Sequence, residues 1–451
     1  MNQRLHELAA ETAAAHHCPS IEWGVARAGE LIHDSGSPDT VYRIASMTKS
    51  FTAATVLALR DEGLIELDRP AASYAPELSS VVGPPGSAAL TVRHLLSMAS
   101  GLATDDVWAD RHLDIDEPTI DEVYRAGPAF AYRPGTAYEY SNLGYAMVGR
   151  VVRRATGTRV QDHIDERFIG PLGMSRTTWV QPDHDDWARP FKVVDGRSVD
   201  EGMPPLGDGE MAPMGGLWST VRDLARWVAF LDEAVSRPDD TPAGSASPML
   251  SAASRREMQR MQTYIGQTTV AGRTSPAGYC FGLNTRDDTT LGTIVAHAGG
   301  LPGYGSNMRW LSGRGIAAFA LANTTYAPMS PLTLQMLVAL HEQGEVPAKQ
   351  GIDAPRVVDA AHRIIALLNE WDDVTAAAMF TDNVALDEPF DRRASAAATV
   401  VAQHGPLTVV EVTPESFTSG TAVVRGNGDD LRLTFDLAPL AGAPVQFYEL
   451  K

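Results

Sequence analysis

Apolar residues recur at alternate positions from Ile21 to Val25, and the runs Ile21–Arg27 and Glu30–Asp34 flank Ala28-Gly29, which predicts a β-hairpin. An amphipathic repeat near residues 3 to 16 precedes it and predicts a short helix. Residues 50 to 60 are rich in alanine and leucine and free of Gly and Pro, predicting a helix with Ser46 at its first turn. From about 64 to 260, helical segments are broken by Pro/Gly loops such as Val82–Gly86 and Gly202-Met203-Pro204-Pro205, so a mostly α region is expected. Between about 278 and 325, short β-like runs at 293–297, 306–311 and 316–321 are separated by turns and predict an antiparallel meander. A helix from about 329 to 343 closes the unit, and Gly344-Glu345-Val346-Pro347 begins a linker. The last hundred residues read as a helical stretch from about 355 to 379. Strands follow around 406–413, 420–426, 430–436 and 444–450, a small α+β domain of its own.

Composition narrows the function. With 451 residues, 44% hydrophobic and 21% charged, the chain can build two or three well-packed domains. A net charge of -19 with no concentrated basic stretch argues against nucleic acid as a partner. Cys18 and Cys280 lie too far apart in sequence to suggest a disulfide framework, and no Cys/His cluster has zinc-ligand spacing. No metal and no cofactor is expected. The adjacent His16-His17 could bind a metal, but neighbours on a helix point apart and read more simply as surface residues. Acidic residues interrupt the first eleven positions, where a signal peptide needs an apolar core, and no run reaches membrane-spanning length. A cytoplasmic protein without membrane contact is the expectation.

The chemistry is concentrated in three places. Lys49 is one of four lysines among 37 basic residues, and it follows Ser46 by three positions. Arginine stays protonated, whereas a desolvated lysine can lose its proton and act as a base. Residues three apart on a helix share a face, so the hydroxyl and the amine can touch, as an activated serine nucleophile requires. The same pattern also fits a capping serine and a solvated lysine. Tyr140-Ser141-Asn142 stands at a turn-to-helix junction, where the phenol could relay protons and the amide could bind a substrate carbonyl or the Lys49 amine. Core packing for Tyr140 and helix capping by Asn142 are the alternatives. His297-Ala298-Gly299-Gly300 ends an expected edge strand, and its glycines would let a substrate lie close. The backbone N–H of Gly300, with that of Ser46, would form an oxyanion hole. A structural histidine beside glycines is the alternative.

In this order and at these separations, Ser46-x-x-Lys49, Tyr140-x-Asn142 and His297-x-Gly299 resemble the three motifs of the serine β-lactamase and penicillin-binding-protein superfamily. The similar branch comprises class C β-lactamases, D-alanyl-D-alanine carboxypeptidases, D-aminopeptidases and β-lactamase-fold esterases. Gly63–Pro70, Leu90–Leu102, Pro171–Met174 and Gly215–Thr220 look like the same family, and the resemblance spans about residues 10 to 345.

It implies an α/β (α+β) fold: a β-lactamase-like antiparallel sheet flanked by helices, with the mostly helical subdomain at about 64–260. The hydrolase domain would be 1–345, followed by a 346–354 linker and the 355–451 accessory domain. The last is only loosely similar to cystatin-like or NTF2-like folds and leaves room for a homo-oligomer assembled through it. The resemblance makes Ser46 the nucleophile that forms an acyl-enzyme. Lys49 and Tyr140 share the proton transfers, and Asn142, His297, Gly299 and Gly300 bind substrate.

The third motif is often Lys-Thr-Gly, and here His297 and Ala298 replace the cation and hydroxyl that hold a carboxylate. This shifts the expected substrate toward a small ester or amide, as for an esterase or aminopeptidase. No Gly-x-Ser-x-Gly is present, so the α/β-hydrolase route to an esterase is not expected. An acyltransferase using the same acyl-enzyme, or a non-catalytic binding or assembly protein, are the alternatives. Loops at about 103–139 and 181–214 should line the mouth, with Trp108, Tyr132 or Trp218 as candidates to shape it.

Overall fold

The computed structural model describes residues 1–202, 207–236, 249–348 and 351–451. Part of the Gly202–Pro205 loop and part of the 346–354 linker thus lie outside the described residues. The chain divides into two compact units, the division falling after Ala348.

In the first unit, helix α1 (Asn2–His16) leads into strands β1 (Ile21–Arg27) and β2 (Glu30–Asp34), and helix α2 (Thr48–Asp61) follows. Helices α3 (Asn142–Thr156) and α4 (Val221–Ser236) are the long helices of the middle region. The chain then forms β3 (Thr263–Val270), β4 (Arg273–Tyr279), β5 (Asn284–Asp288), β6 (Gly292–Leu301), β7 (Tyr304–Leu311) and β8 (Ile316–Ala322), closing with α5 (Met329–Glu342). These strands make one eight-stranded sheet in the order β2-β1-β8-β7-β6-β5-β4-β3, antiparallel throughout.

Strand β8 shows why the sheet is covered on both sides. All seven of its residues are buried. Ala317, Phe319 and Leu321 join the core shared with α2 and α4, while Ile316, Ala318, Ala320 and Ala322 join a second core with α1 and α5. Successive side chains on a strand point to opposite faces, so a continuously apolar strand needs a layer on each.

Helix α2 is buried from Thr48 to Leu59 and runs through the larger core. Its few polar groups are paired: Trp227 Nε1 donates to Ser50 Oγ at 3.0 Å, and Thr52 Oγ1 donates to the Pro213 carbonyl at 2.7 Å. Phe51 stacks on Trp227 with ring centroids 4.0 Å apart. This anchoring holds the helix that carries Lys49.

The secondary structure departs from the sequence reading in several places. The meander begins at Thr263 rather than near 278, because Ala271 and Gly272, both at positive φ, turn β3 directly into β4. A second hairpin, Phe191–Val194 with Arg197–Asp200, interrupts the otherwise helical middle region through the Asp195-Gly196 turn. In the second unit, Phe390–His404 is a further helix, and a four-stranded antiparallel meander follows it. Leu433, Phe435 and Val424 from that sheet share a core with Val357, Ala361 and Ile364 of the helix Pro355–Asn369. Among the described residues, no helix is long and apolar enough to cross a membrane.

Candidate active site

Ser46 lies not on α2 itself but in a single 3₁₀ turn, Ala45–Met47, that feeds it. Ala45 holds φ at +50°, a conformation that costs a residue with a Cβ about 1–2 kcal/mol. The sharp entry sets the hydroxyl on the rim of a cavity of about 700 Å³. Ser46 makes no side-chain cap to α2.

Lys49 is fully buried rather than solvated. Its Nζ donates to Ser46 Oγ at 2.9 Å, to Asn142 Oδ1 at 2.7 Å and to the Met214 carbonyl at 2.8 Å. Three acceptors satisfy an ammonium, and loss of one proton leaves a lone pair directed at the serine. Burial pushes the Lys49 amine down to about 8, against the opposing pull of Asp110, Asp106 and Asp105. The neutral amine is therefore far more accessible near pH 7 than in an ordinary lysine.

Tyr140 is half-buried, with its ring centroid 4.9 Å from Lys49 Nζ. Burial raises its phenol well above the ordinary value, only partly offset by a hydrogen bond with Ser46. It therefore stays protonated in the resting site while Lys49 gives up its proton more easily. Asn142 opens α3, but the cap is Ser141, whose Oγ accepts from Gly144 N at 3.2 Å. Released from capping, the Asn142 amide spans two side chains: Oδ1 accepts from Lys49, and Nδ2 donates to Asp106 Oδ1 at 2.7 Å.

His297 is buried in the third element, and burial with the nearby Lys49 charge lowers its imidazole to about 3. The neutral ring donates from Nδ1 to the Ala298 carbonyl at 2.6 Å and accepts at Nε2 from the Tyr279 hydroxyl at 3.2 Å. Tyr279 in turn packs edge-on against Tyr140 at 6.3 Å. The ring thus braces the aromatic wall and supplies no cation.

Strand β6 is interior, paired with β5 and β7, and not the edge strand expected from sequence. Its pairing with β5 reaches only Ala296, however, so His297–Gly300 are bordered by β7 alone and line the cavity. Gly299 serves the scaffold: a Cβ there would collide with the Ile44 carbonyl and Ser306 Oγ. Gly299→Ala is expected to lower stability by about 2 kcal/mol, through overpacking beside the Ala45–Met47 turn. A thermal melt matching wild type would contradict that account.

The sequence reading missed Asp105, Asp106, Asp110, Tyr138 and Tyr326. Asp106, Asp110, Tyr138 and Tyr326 line the cavity with Ser46 and Tyr140. Asp105 Oδ1 and Oδ2 instead accept from the Asn142 and Leu143 backbone at 2.8 and 2.7 Å. Tyr326 donates to Asp110 Oδ2 at 2.9 Å. The acids stand before, in and after the short helix Asp106–Ala109, inside the 103–139 segment expected to line the mouth, and no local pattern singles them out. All three aromatic candidates for the mouth fall elsewhere. Trp218 is completely buried, packed against Trp187 and Tyr304, and Trp108 stacks on His112 outside the cavity lining. Tyr132 is exposed and also lies outside the lining. Loop 103–139 supplies lining residues, whereas the described part of 181–214 reaches the site only through the Met214 carbonyl on Lys49.

The model of the Beta-lactamase family matches residues 5–343, three quarters of the chain. The chain belongs to the Beta-lactamase family. Esterase EstB from Burkholderia gladioli is 28% identical, over 70% of this chain and 89% of that protein. Protein flp from Staphylococcus aureus (strain MW2) is 23% identical over 68% of this chain, which spans only 58% of flp. Among solved structures, the octameric penicillin-binding protein homologue from Pyrococcus abyssi superposes with a TM-score of 0.64 at 19% identity, covering 99% of both chains. A D-stereospecific amidohydrolase from Streptomyces sp. gives a TM-score of 0.58 at 22% identity, covering 74% of this chain and 97% of that one. At these identities the structural likeness establishes the α+β fold of the Beta-lactamase family and nothing finer.

Proposed function

We propose that the protein is a serine hydrolase that cleaves small esters or amides through a Ser46 acyl-enzyme, a chemistry that needs no cofactor. The observation carrying this reading is the fully buried Lys49 amine, pushed down to about 8 and 2.9 Å from the Ser46 hydroxyl. Neutral Lys49 takes the hydroxyl proton as Ser46 Oγ attacks the carbonyl. The oxyanion is met by the backbone N–H groups of Ser46 and Gly300, both on the cavity wall. Tyr140 passes a proton to the leaving alcohol or amine, which departs as the acyl-enzyme forms. Water then attacks the acyl carbonyl, gives its proton back through Tyr140 and Lys49, and releases the acid. The esterase and amidohydrolase relatives support the same class.

The cavity favours substrates without a carboxylate. Asp106 and Asp110 line it, no lysine or arginine does among the described residues, and His297 is neutral. Asp110 is itself raised to about 7, mainly by burial, so a nearby anion would further disfavour its ionised form. A nitrophenyl ester of a short acid and a D-amino-acid anilide should therefore turn over faster than a cephalosporin.

A phosphonate probe should add its mass to the peptide containing Ser46; modification of another serine instead would remove the site. The pH profile follows from Lys49. Protonated lysine cannot accept the serine proton, so kcat/KM should climb as pH rises toward about 8 and level off above it. An ascending limb centred near pH 6 would indicate a histidine base and count against this assignment.

A further inference from the structure

The Asn142 amide sits between a group that only donates and a group that, when ionised, only accepts. Lys49 Nζ donates to its oxygen at 2.7 Å, and Asp106 Oδ1 accepts from its nitrogen at 2.7 Å. Turned by half a rotation, the amide would set its NH₂ against the ammonium and its oxygen against the carboxylate, opposing like partners at both ends. The neighbouring Asp105 already holds the start of α3, accepting from Asn142 N at 2.8 Å and Leu143 N at 2.7 Å. Asp106 therefore reaches past the backbone to the side chain that touches the catalytic lysine.

We propose that Asp106 is a positioning residue for Lys49, locking the Asn142 amide with its oxygen toward the amine and so fixing where the lysine lone pair points. This rests on the serine-hydrolase reading above and extends it to a residue outside the three motifs. An amine with three defined acceptors has one orientation in which the proton that leaves is the one facing Ser46. With the amide free to turn, Nζ loses one acceptor and its aim.

The surroundings of Lys49 fix the sign of the expected pH effect. Asp110, Asp106 and Asp105 all favour its charged form, while burial opposes it. The rings of Tyr140 and Tyr145 lie 4.9 and 5.6 Å from Nζ, and neutral His297 faces it from β6. Removing the Asp106 charge should lower the pH at which Lys49 becomes neutral. A carboxylate placed directly on Nζ should raise it.

The test uses the full-length protein and a nitrophenyl ester, with kcat and KM measured across pH for Asp106→Asn, Asn142→Asp and the double exchange. Asp106→Asn should lower kcat by about tenfold, keep KM within about twofold, and move the ascending limb to lower pH. Asn142→Asp alone sets two carboxylates face to face and should be worse. The double exchange restores a donor opposite an acceptor. It should recover kcat above Asn142→Asp while its limb moves above that of wild type.

Three results would overturn the proposal: Asp106→Asn with kcat and limb unchanged, a loss carried by KM, or a double exchange no better than Asn142→Asp. A loss in KM would make Asp106 a substrate contact. If Asp106→Asn does not fold, the comparison of Asn142→Asp with the double exchange decides. Full activity in Ser46→Ala would defeat the hydrolase reading on its own, and the Asp106 variants are scored only where Ser46→Ala is inactive.

Discussion

Lys49→Arg should lower kcat/KM for a nitrophenyl ester by about 1,000-fold, toward the level of Ser46→Ala, although the positive charge is retained. Arginine keeps its proton at any working pH and cannot take one from Ser46. The geometry adds a second reason. Lys49 Nζ fills a closed space bounded by Ser46 Oγ, Asn142 Oδ1 and the Met214 carbonyl, at 2.7–2.9 Å from each. A planar guanidinium is larger than this space and would displace the serine or the amide. Steady-state kinetics beside Ser46→Ala makes the comparison. Retention of more than about one tenth of wild-type kcat/KM in Lys49→Arg would show that the site needs only a cation.

Tyr140→Phe is the second large effect, an expected fall in kcat of about 100-fold. Phenylalanine keeps the ring beneath Lys49 and against Tyr279, so packing changes little and only the proton path is lost. The shape of the pH profile separates the two bases. With Lys49 as the base, the remaining activity of Tyr140→Phe still rises toward about pH 8. If Tyr140 were the base, that limb would vanish with the hydroxyl. The raised phenol favours the first outcome.

The parts of the structure that were legible in sequence were those whose cause is local. The β1–β2 hairpin follows from two short runs flanking Ala28-Gly29, and the helix following Ser46 from an unbroken alanine- and leucine-rich run. The Ser46–Lys49 pair could be read because both residues sit on one short segment and lysine is scarce in the chain. The acids were not legible. Asp106 matters because the chain returns Asn142 to it from 36 positions away, and no local pattern encodes that meeting. Gly299 was read as clearance for substrate, yet the space it spares belongs to Ile44 and Ser306, a contact set by sheet packing. The β3–β4 hairpin was missed because its strands are half exposed, and their alternation is broken by Gly266 and Pro276.

The cavity is built from two kinds of wall. Ser46, His297, Gly299 and Gly300 belong to the Ala45–Met47 turn and the central sheet, whereas Tyr138 and Tyr326 come from connecting segments and Val107 from the single helical turn Asp106–Ala109 between them. Connecting segments accept sequence change far more readily than packed layers do. On the serine-hydrolase reading, substrate preference should drift by exchange of a few rim residues while the Ser46–Lys49 pair stays constant, and a laboratory selection for new substrates should begin at Val107, Tyr138 and Tyr326.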